Sequence, residues 1–369
     1  MVKTFLATGE IPSDDALSLV PEGHSTTFQS HIEFAKYLMT DKNRFTKDYN
    51  RKSCNLSSDL SQYDLIKTIG KGAFGTVFLA KSKKHNNYVV VKCLSKEDLI
   101  GRNLLKQVLN EKRIMSTIKF NFVLNIMETF IDNSFVYFAM PYLCGGDLFG
   151  HLLKEKRFEE PTTKYYVAQM VLALEYLHSL KIAHRDLKPE NLSLDYRGYL
   201  RLLDFGLSKI VVGKTYTFCG TPEYMAPEII LGKGYGFSVD WWSLGVVAYQ
   251  LCSGIQPFFS SKQDRLFALI TSGEYTDREF FSDEFSDFLN KLMTVDVTSR
   301  VGCGQGGAGD VKKQKWFDDI NWLAMLNKRA PIPFKPTHEN FGLVNFNHFN
   351  EEAHVVASQN AYRDFFGDF

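Results

Sequence analysis

The chain has 369 residues, 44% of them hydrophobic, with 43 Lys and Arg against 42 Asp and Glu and a formal net charge of +1. That length and apolar content suffice for two packed lobes, and the balanced charge excludes bulk attraction to nucleic acid or anionic membrane. The six cysteines show no metal-ligand spacing and no apolar run approaches a membrane span, so a reducing cytosolic or nuclear compartment is expected.

Residues 1–27 are polar and turn-rich and are predicted to be poorly ordered; Val2 stands where the N-myristoylation motif needs Gly, so no myristoyl anchor is expected. From Phe28 to Tyr49 the residues Phe28, Ile32, Ala35, Leu38, Met39 and Phe45 recur at helical intervals, an amphipathic helix that must dock on something. Next comes Ile69-Gly70-Lys71-Gly72-Ala73-Phe74-Gly75-Thr76-Val77, a G-x-G-x-x-G-x-V run flanked by apolar alternation at Tyr63–Ile69 and Val77–Ala80. The flanks predict strand, turn, strand, with a glycine backbone free to approach phosphate oxygens. A dinucleotide-binding unit would open a helix there, whereas Thr76-Val77-Phe78-Leu79 continues as a strand. The next apolar run, Tyr88 to Val91, ends in Lys92, either a snorkelling edge residue or a contact for α/β-phosphates. Leu105, Val108, Leu109, Ile114 and Met115 have helical spacing, which puts Glu111 on the following helix as the ion-pair partner of Lys92 or as an exposed acid.

From Thr162 the pattern is helical up to His184-Arg185-Asp186-Leu187-Lys188-Pro189-Glu190-Asn191, with Asp204-Phe205-Gly206 shortly after. These two short loops offer an acceptor for a hydroxyl proton, a cation, and oxygen or amide ligands for Mg²⁺, the set phosphoryl transfer requires. Val239 to Leu251, with Trp241 and Trp242, is apolar on nearly every side and predicts a buried helix. Gly302–Gly309 reads as a flexible loop, and the chain beyond Pro331 as an extended tail.

Together these motifs resemble the eukaryotic protein kinases, from about Phe28 to Phe369, with Cys219–Tyr224, Ala226-Pro227-Glu228, Asp240-Trp241-Trp242 and Arg300 also in place. Within that family the N-terminal helix, Lys315-Trp316-Phe317 and the final Phe366-Gly367-Asp368-Phe369 are most similar to the cyclic-AMP-dependent catalytic subunits. The resemblance implies an α+β, bilobal kinase fold: an N-terminal extension (1–62), an antiparallel small lobe with one main helix (63–140), a helical large lobe (141–317) and a tail wrapping back (318–369).

It also implies roles. Asp186 would take or orient the Ser/Thr hydroxyl, Lys188 would neutralise the transferring phosphoryl, and Asn191 and Asp204 would hold two Mg²⁺ ions. ATP would lie against Ile69, Gly70, Gly72, Ala73, Phe74, Gly75, Val77, Val90, Lys92, Glu111, Met140, Pro141, Leu143, Asp147, Ser193, Leu203 and Phe346. Val90 and Leu203 are larger than usual there and Ser193 smaller, so weakened ATP binding is expected; a lost apolar contact costs about 1.5–3 kcal/mol. Asp147, Glu190 and Glu223 would meet arginines upstream of the target, while Gln250 and Ser261 replace two further acids, which relaxes the demand for a second arginine. Phe218, Pro222 and Met225 would receive the residue after the target. Thr217 matches an activation-loop phosphosite that would pair with Arg185 and Lys209, Gln107 replaces a histidine that senses it, and Ala357 stands in place of a tail phosphosite. Tyr216 and Lys233 match docking contacts for a cyclic-nucleotide-binding inhibitory subunit. A kinase-like binding protein that transfers little phosphate is the alternative, favoured by the adenine-site changes alone.

Overall fold

Runs of β-branched and aromatic residues between Tyr63 and Pro141 fold as strands, with near-continuous burial over Tyr88–Val91 and Val136–Pro141. The computed structural model describes residues 3–5, 10–21, 26–51, 59–72, 75–351, 353–367 and 369. Strand β1 (Lys3–Phe5) and helix α1 (His31–Tyr49) precede β2 (Tyr63–Gly72), β3 (Gly75–Ser82), β4 (Asn87–Ser95), α2 (Lys96–Gly101), α3 (Leu105–Thr117), β5 (Glu128–Ile131) and β6 (Phe135–Pro141). Five of these strands form an antiparallel sheet in the order β2-β3-β4-β6-β5. Leu79, Val91, Val136 and Phe138 are buried within the lobe it builds.

The large lobe follows with α4 (Leu148–Glu155), α5 (Glu160–Ser179), β7 (Ile182–Ala183), β8 (Leu192–Leu194), β9 (Leu200–Leu202), β10 (Lys209–Ile210), α6 (Pro227–Ile230) and α7 (Ser238–Ser253). It closes with α8 (Gln263–Ser272), α9 (Asp283–Leu292), α10 (Ala308–Lys312) and α11 (Trp322–Leu326), and the tail adds β11 (His354–Val356). Every residue of α7 from Ser238 to Cys252 is buried, as the all-round apolar pattern requires. A buried Arg300–Glu228 pair at 2.7 Å ties the segment after α9 to α6.

Helix α1 starts later than the apolar repeat suggested, because Ser30 caps it, its hydroxyl accepting from the Glu33 N–H at 3.1 Å. Phe28 lies outside the helix and packs edge-on against Phe34 and Tyr37. The helix docks on the large lobe through Tyr176, whose hydroxyl donates to Asp41 at 2.7 Å, and on α3 through Arg44, which donates to the Thr117 carbonyl at 2.8 Å.

Where residues 1–27 are described, the expectation of poor order is corrected: β1 pairs antiparallel with β11, and Asp14–Leu19 form a 3-10 turn beside the tail's turn Glu339–Asn345, while residues 1–2, 6–9 and 22–25 lie outside the described residues. A lone three-residue strand carries no readable period, and its partner lies some 350 positions away, so sequence pattern could not reveal it. The tail then crosses the small lobe. Glu351 accepts from the Thr68 N–H at 3.0 Å and from its hydroxyl at 2.6 Å, just ahead of the glycine hairpin. Phe369 stacks on Phe138 at 5.9 Å, and Lys112 lies over the Phe369 ring.

Candidate active site

Between the two lobes lies a cavity of about 250 Å³ lined by Ile69, Val77, Val90, Lys92, Glu111, Met115, Leu124, Met140, Pro141, Tyr142, Leu143, Asn191, Ser193, Leu203, Asp204 and Phe346. Its roof comes from the β2–β3 hairpin. At Gly75 a Cβ would sit 1.8 Å from the Cys93 carbonyl oxygen, so only glycine lets the hairpin lie this close to β4. Gly70 and Gly72 lie in the same hairpin; Ala73 and Phe74, also expected at the nucleotide, fall outside the described residues.

On the small-lobe wall, Lys92 Nζ lies 2.8 Å from Glu111 Oε1. Burial works against the Lys92 ammonium, but Glu111 and Asp204 outweigh it and hold the group above its ordinary value. On the opposite wall, helix α7 supplies the support. Buried Asp240 accepts from the His184 N–H at 2.9 Å, the Arg185 N–H at 2.8 Å and His178 Nε2 at 2.8 Å, which suspends the whole His184–Asp186 turn from the lobe's core. Burial opposes the Asp240 charge, yet these contacts hold its carboxyl below the usual aspartate value. Arg185 and Asp204 both have left-handed backbone, at φ 70° and 54°, a strain that tolerates few side chains and marks both loops.

Asp186 accepts at Oδ1 from the Thr221 hydroxyl at 2.7 Å and the Thr221 N–H at 3.0 Å. At Oδ2 it meets Lys188 Nζ at 2.9 Å and Asn191 Nδ2 at 3.2 Å. Burial pushes this carboxyl up, but the Thr221 and Lys188 hydrogen bonds and the Lys188 charge win, and it stays ionised below the ordinary aspartate value. Asn191 spends its amide N–H groups on Asp186, which leaves Oδ1 as an oxygen donor at the cavity wall. Asp204 uses Oδ1 to accept from the Gly206 N–H at 3.0 Å, leaving Oδ2. One carboxylate and one amide oxygen beside a phosphate chain suit Mg²⁺, which seeks hard oxygen ligands and keeps several from water or substrate.

Other expected site residues sit apart from the cavity or do something further. Asp147 caps α4, its Oδ1 accepting from the Gly150 N–H at 2.8 Å, and it does not line the cavity. Glu190 lies in the same acidic region; burial pushes its carboxyl up and the Asp147 and Asp186 charges add to this. Phe218 is exposed and edge-on to Phe267, Met225 is buried, and Pro222 and Glu223 open the short turn that carries Tyr224. Lys209 donates to the Thr215 hydroxyl at 2.9 Å, and Arg185 to the Leu207 carbonyl at 2.7 Å, so neither cation is engaged at Thr217 in this unmodified form.

Met115, Leu124 and Thr221 were missed. Met115 follows Glu111 by one helical turn and was findable on spacing. Thr221 reaches Asp186 across 35 residues, a contact no local pattern announces.

A nucleotide-sized cleft between a glycine-roofed sheet and a helical lobe, with a lysine–glutamate pair facing an ionised aspartate, defines a protein kinase. The chain belongs to the protein kinase domain family, matching it over residues 63–317. It is 34% identical over 345 residues to cAMP-dependent protein kinase catalytic subunit 2 of Drosophila melanogaster, covering 93% of this chain and 98% of that one. It is 39% identical over 302 residues to the cAMP-dependent protein kinase catalytic subunit of Dictyostelium discoideum, covering 82% of this chain and 47%, about half, of that longer protein. A third relative, cAMP-dependent protein kinase catalytic subunit PRKX of Homo sapiens, is 38% identical over 277 residues, 75% of this chain and 77% of its own length. Among the described residues no helix is long and apolar enough to cross a membrane.

Proposed function

We propose that the chain transfers the γ-phosphoryl group of ATP to serine and threonine hydroxyls in proteins carrying arginine upstream of the target. The observation that carries this reading is the Asp186 carboxylate, kept ionised between Lys188 and Thr221 and joined through Asn191 to the cavity. A carboxylate held that low is a weak base, so its work is to orient the incoming hydroxyl and to accept its proton late. Lys188 neutralises charge on the moving group, and Lys92 steadies the phosphates behind it. Asn191 and Asp204 would hold Mg²⁺, which would supply positive charge against the phosphate oxygens.

The acidic Asp147, Glu190 and Glu223 favour arginine-bearing peptides. The activation segment supports control by a cyclic-nucleotide-binding subunit: Tyr216 rests one side of its ring on Gly234 yet is 69% exposed, which leaves an open aromatic face for a partner, and Leu231 beside Lys233 is exposed too. The test is transfer of γ-labelled phosphate to an arginine-containing peptide with Mg²⁺ present. Labelling by the native chain and none by Asp186→Ala is expected; no labelling by folded, Mg²⁺-supplied native chain overturns the reading.

A further inference from the structure

One half-buried side chain on α3 joins three parts of the molecule that the site needs in register. Tyr49, at the end of α1, donates its hydroxyl to Asn110 Oδ1 at 2.9 Å. Asn110 Nδ2 in turn donates to the Ser208 carbonyl at 2.8 Å. Only one orientation of the amide satisfies both bonds, because the Tyr49 hydroxyl needs an acceptor if the carbonyl is to be met by N–H. Asn110 immediately precedes Glu111, the partner of Lys92. Ser208 closes the turn that begins at Asp204, its N–H donating to the Phe205 carbonyl at 3.0 Å and its hydroxyl to the His184 carbonyl at 3.3 Å. Helix α1 is itself fixed to the large lobe through Asp41 and Tyr176.

We infer that Asn110 is a positioning residue: its amide clamps the 204–208 turn to α3, so that Asp204 and the Lys92–Glu111 pair keep a fixed separation, with Tyr49 setting the amide from outside. The inference rests on the kinase reading for its functional consequence and on the geometry alone for its structural one. The two elements are already near contact, since a Cβ on Gly206 would lie 3.2 Å from Gln107 Nε2 and 3.8 Å from Glu111 Oε2. The Asn110 bond therefore spans a close approach of α3 to the turn that glycine at 206 permits. Small misplacements of a metal-binding carboxylate relative to the phosphate-side lysine are costly to rate.

The test compares the native chain with Asn110→Ala, Asn110→Asp, Tyr49→Phe and the Tyr49→Phe/Asn110→Ala pair. Asn110→Asp keeps an acceptor for Tyr49 and removes the donor to Ser208, which separates the clamp from side-chain packing. For Asn110→Ala and Asn110→Asp, kcat falls about three- to tenfold, the size of one neutral hydrogen bond. The Mg²⁺ concentration for half-maximal rate rises, and peptide KM stays constant. Tyr49→Phe gives a smaller change, and the pair no more than Asn110→Ala alone. Amide exchange, which needs no catalysis, accelerates in residues 204–211 and not in α7. Unchanged exchange in 204–211, or an equal rise throughout the chain, overturns the clamp. A native chain that transfers no phosphate while Asn110→Ala still loosens 204–211 overturns the kinase reading and leaves the clamp standing.

Discussion

The Ser193 hydroxyl donates to the Gly146 carbonyl at 2.9 Å, so the side chain beneath the expected purine is turned into the backbone of the hinge segment. That carbonyl also accepts from the Leu194 N–H at 2.8 Å and stays paired if Ser193 is replaced. The cavity floor is therefore short of apolar surface without being structurally dependent on the hydroxyl.

Ser193→Leu should tighten ATP. Restoring 40–80 Å² of apolar contact is worth roughly 1–2 kcal/mol, or about five- to thirtyfold in affinity. A titration of ATP against the two proteins checks this, and equal affinities would show that the purine does not rest on Ser193.

Gln250 is buried and accepts from the Tyr224 hydroxyl at 2.7 Å, so a neutral amide occupies the floor of the acidic region. Peptides with one and with two upstream arginines should react at similar rates. Gln250→Glu should create a preference for two, because a charge-assisted bond contributes roughly 1.5–3 kcal/mol, tenfold or more in kcat/KM. A strict two-arginine requirement in the native chain would contradict this.

The Gln107 amide lies against Gly206, beside the Asp204 and Glu111 carboxylates, and carries no positive charge with which to meet a phosphate. Phosphorylation of Thr217 should therefore stabilise the large lobe while coupling little to α3. In Gln107→His, thermal melting of the Thr217-phosphorylated protein should rise relative to the same phosphoform of the native chain. Identical melting and identical activity would remove the idea.

His354 docks the tail, its Nε2 2.9 Å from the Tyr137 hydroxyl and its ring 4.2 Å from that of Phe135. Burial depresses its imidazole below the ordinary 6.5, with the Asp132 charge only partly opposing this. An undocked tail binds a proton more readily, so the His354 contribution to attachment is full above the ordinary value and is lost as pH falls through the depressed one. Proteolysis of the tail should be faster at about pH 5.5 than at about pH 7.5, and His354→Leu should flatten that difference.

Much of the site was legible because its chemistry sits in short, contiguous runs. His184 to Asn191 and Asp204 to Gly206 each fold on themselves, and the strand pattern after Gly75 is enough to announce the hairpin. What escaped were contacts joining distant segments: Thr221 on Asp186, Glu351 on Thr68, and β1 against β11. Capping also hid from pattern. Asp147 was read only as a ligand, although Asp three residues before Gly150 is equally a helix start. The Tyr63–Ile69 and Val77–Ala80 runs underestimated β2 and β3, since ladder bonding carries them into the polar, glycine-rich turn where side-chain alternation fades.

The three bonds received by Asp240 have a wider meaning. They fix the turn carrying Asp186 to a buried helix of the large lobe, while Lys92 belongs to the sheet on the other side of the cleft. On the proposed reading, the two halves of the chemistry are anchored to different lobes, so their separation is set by how the lobes meet and not by either loop alone.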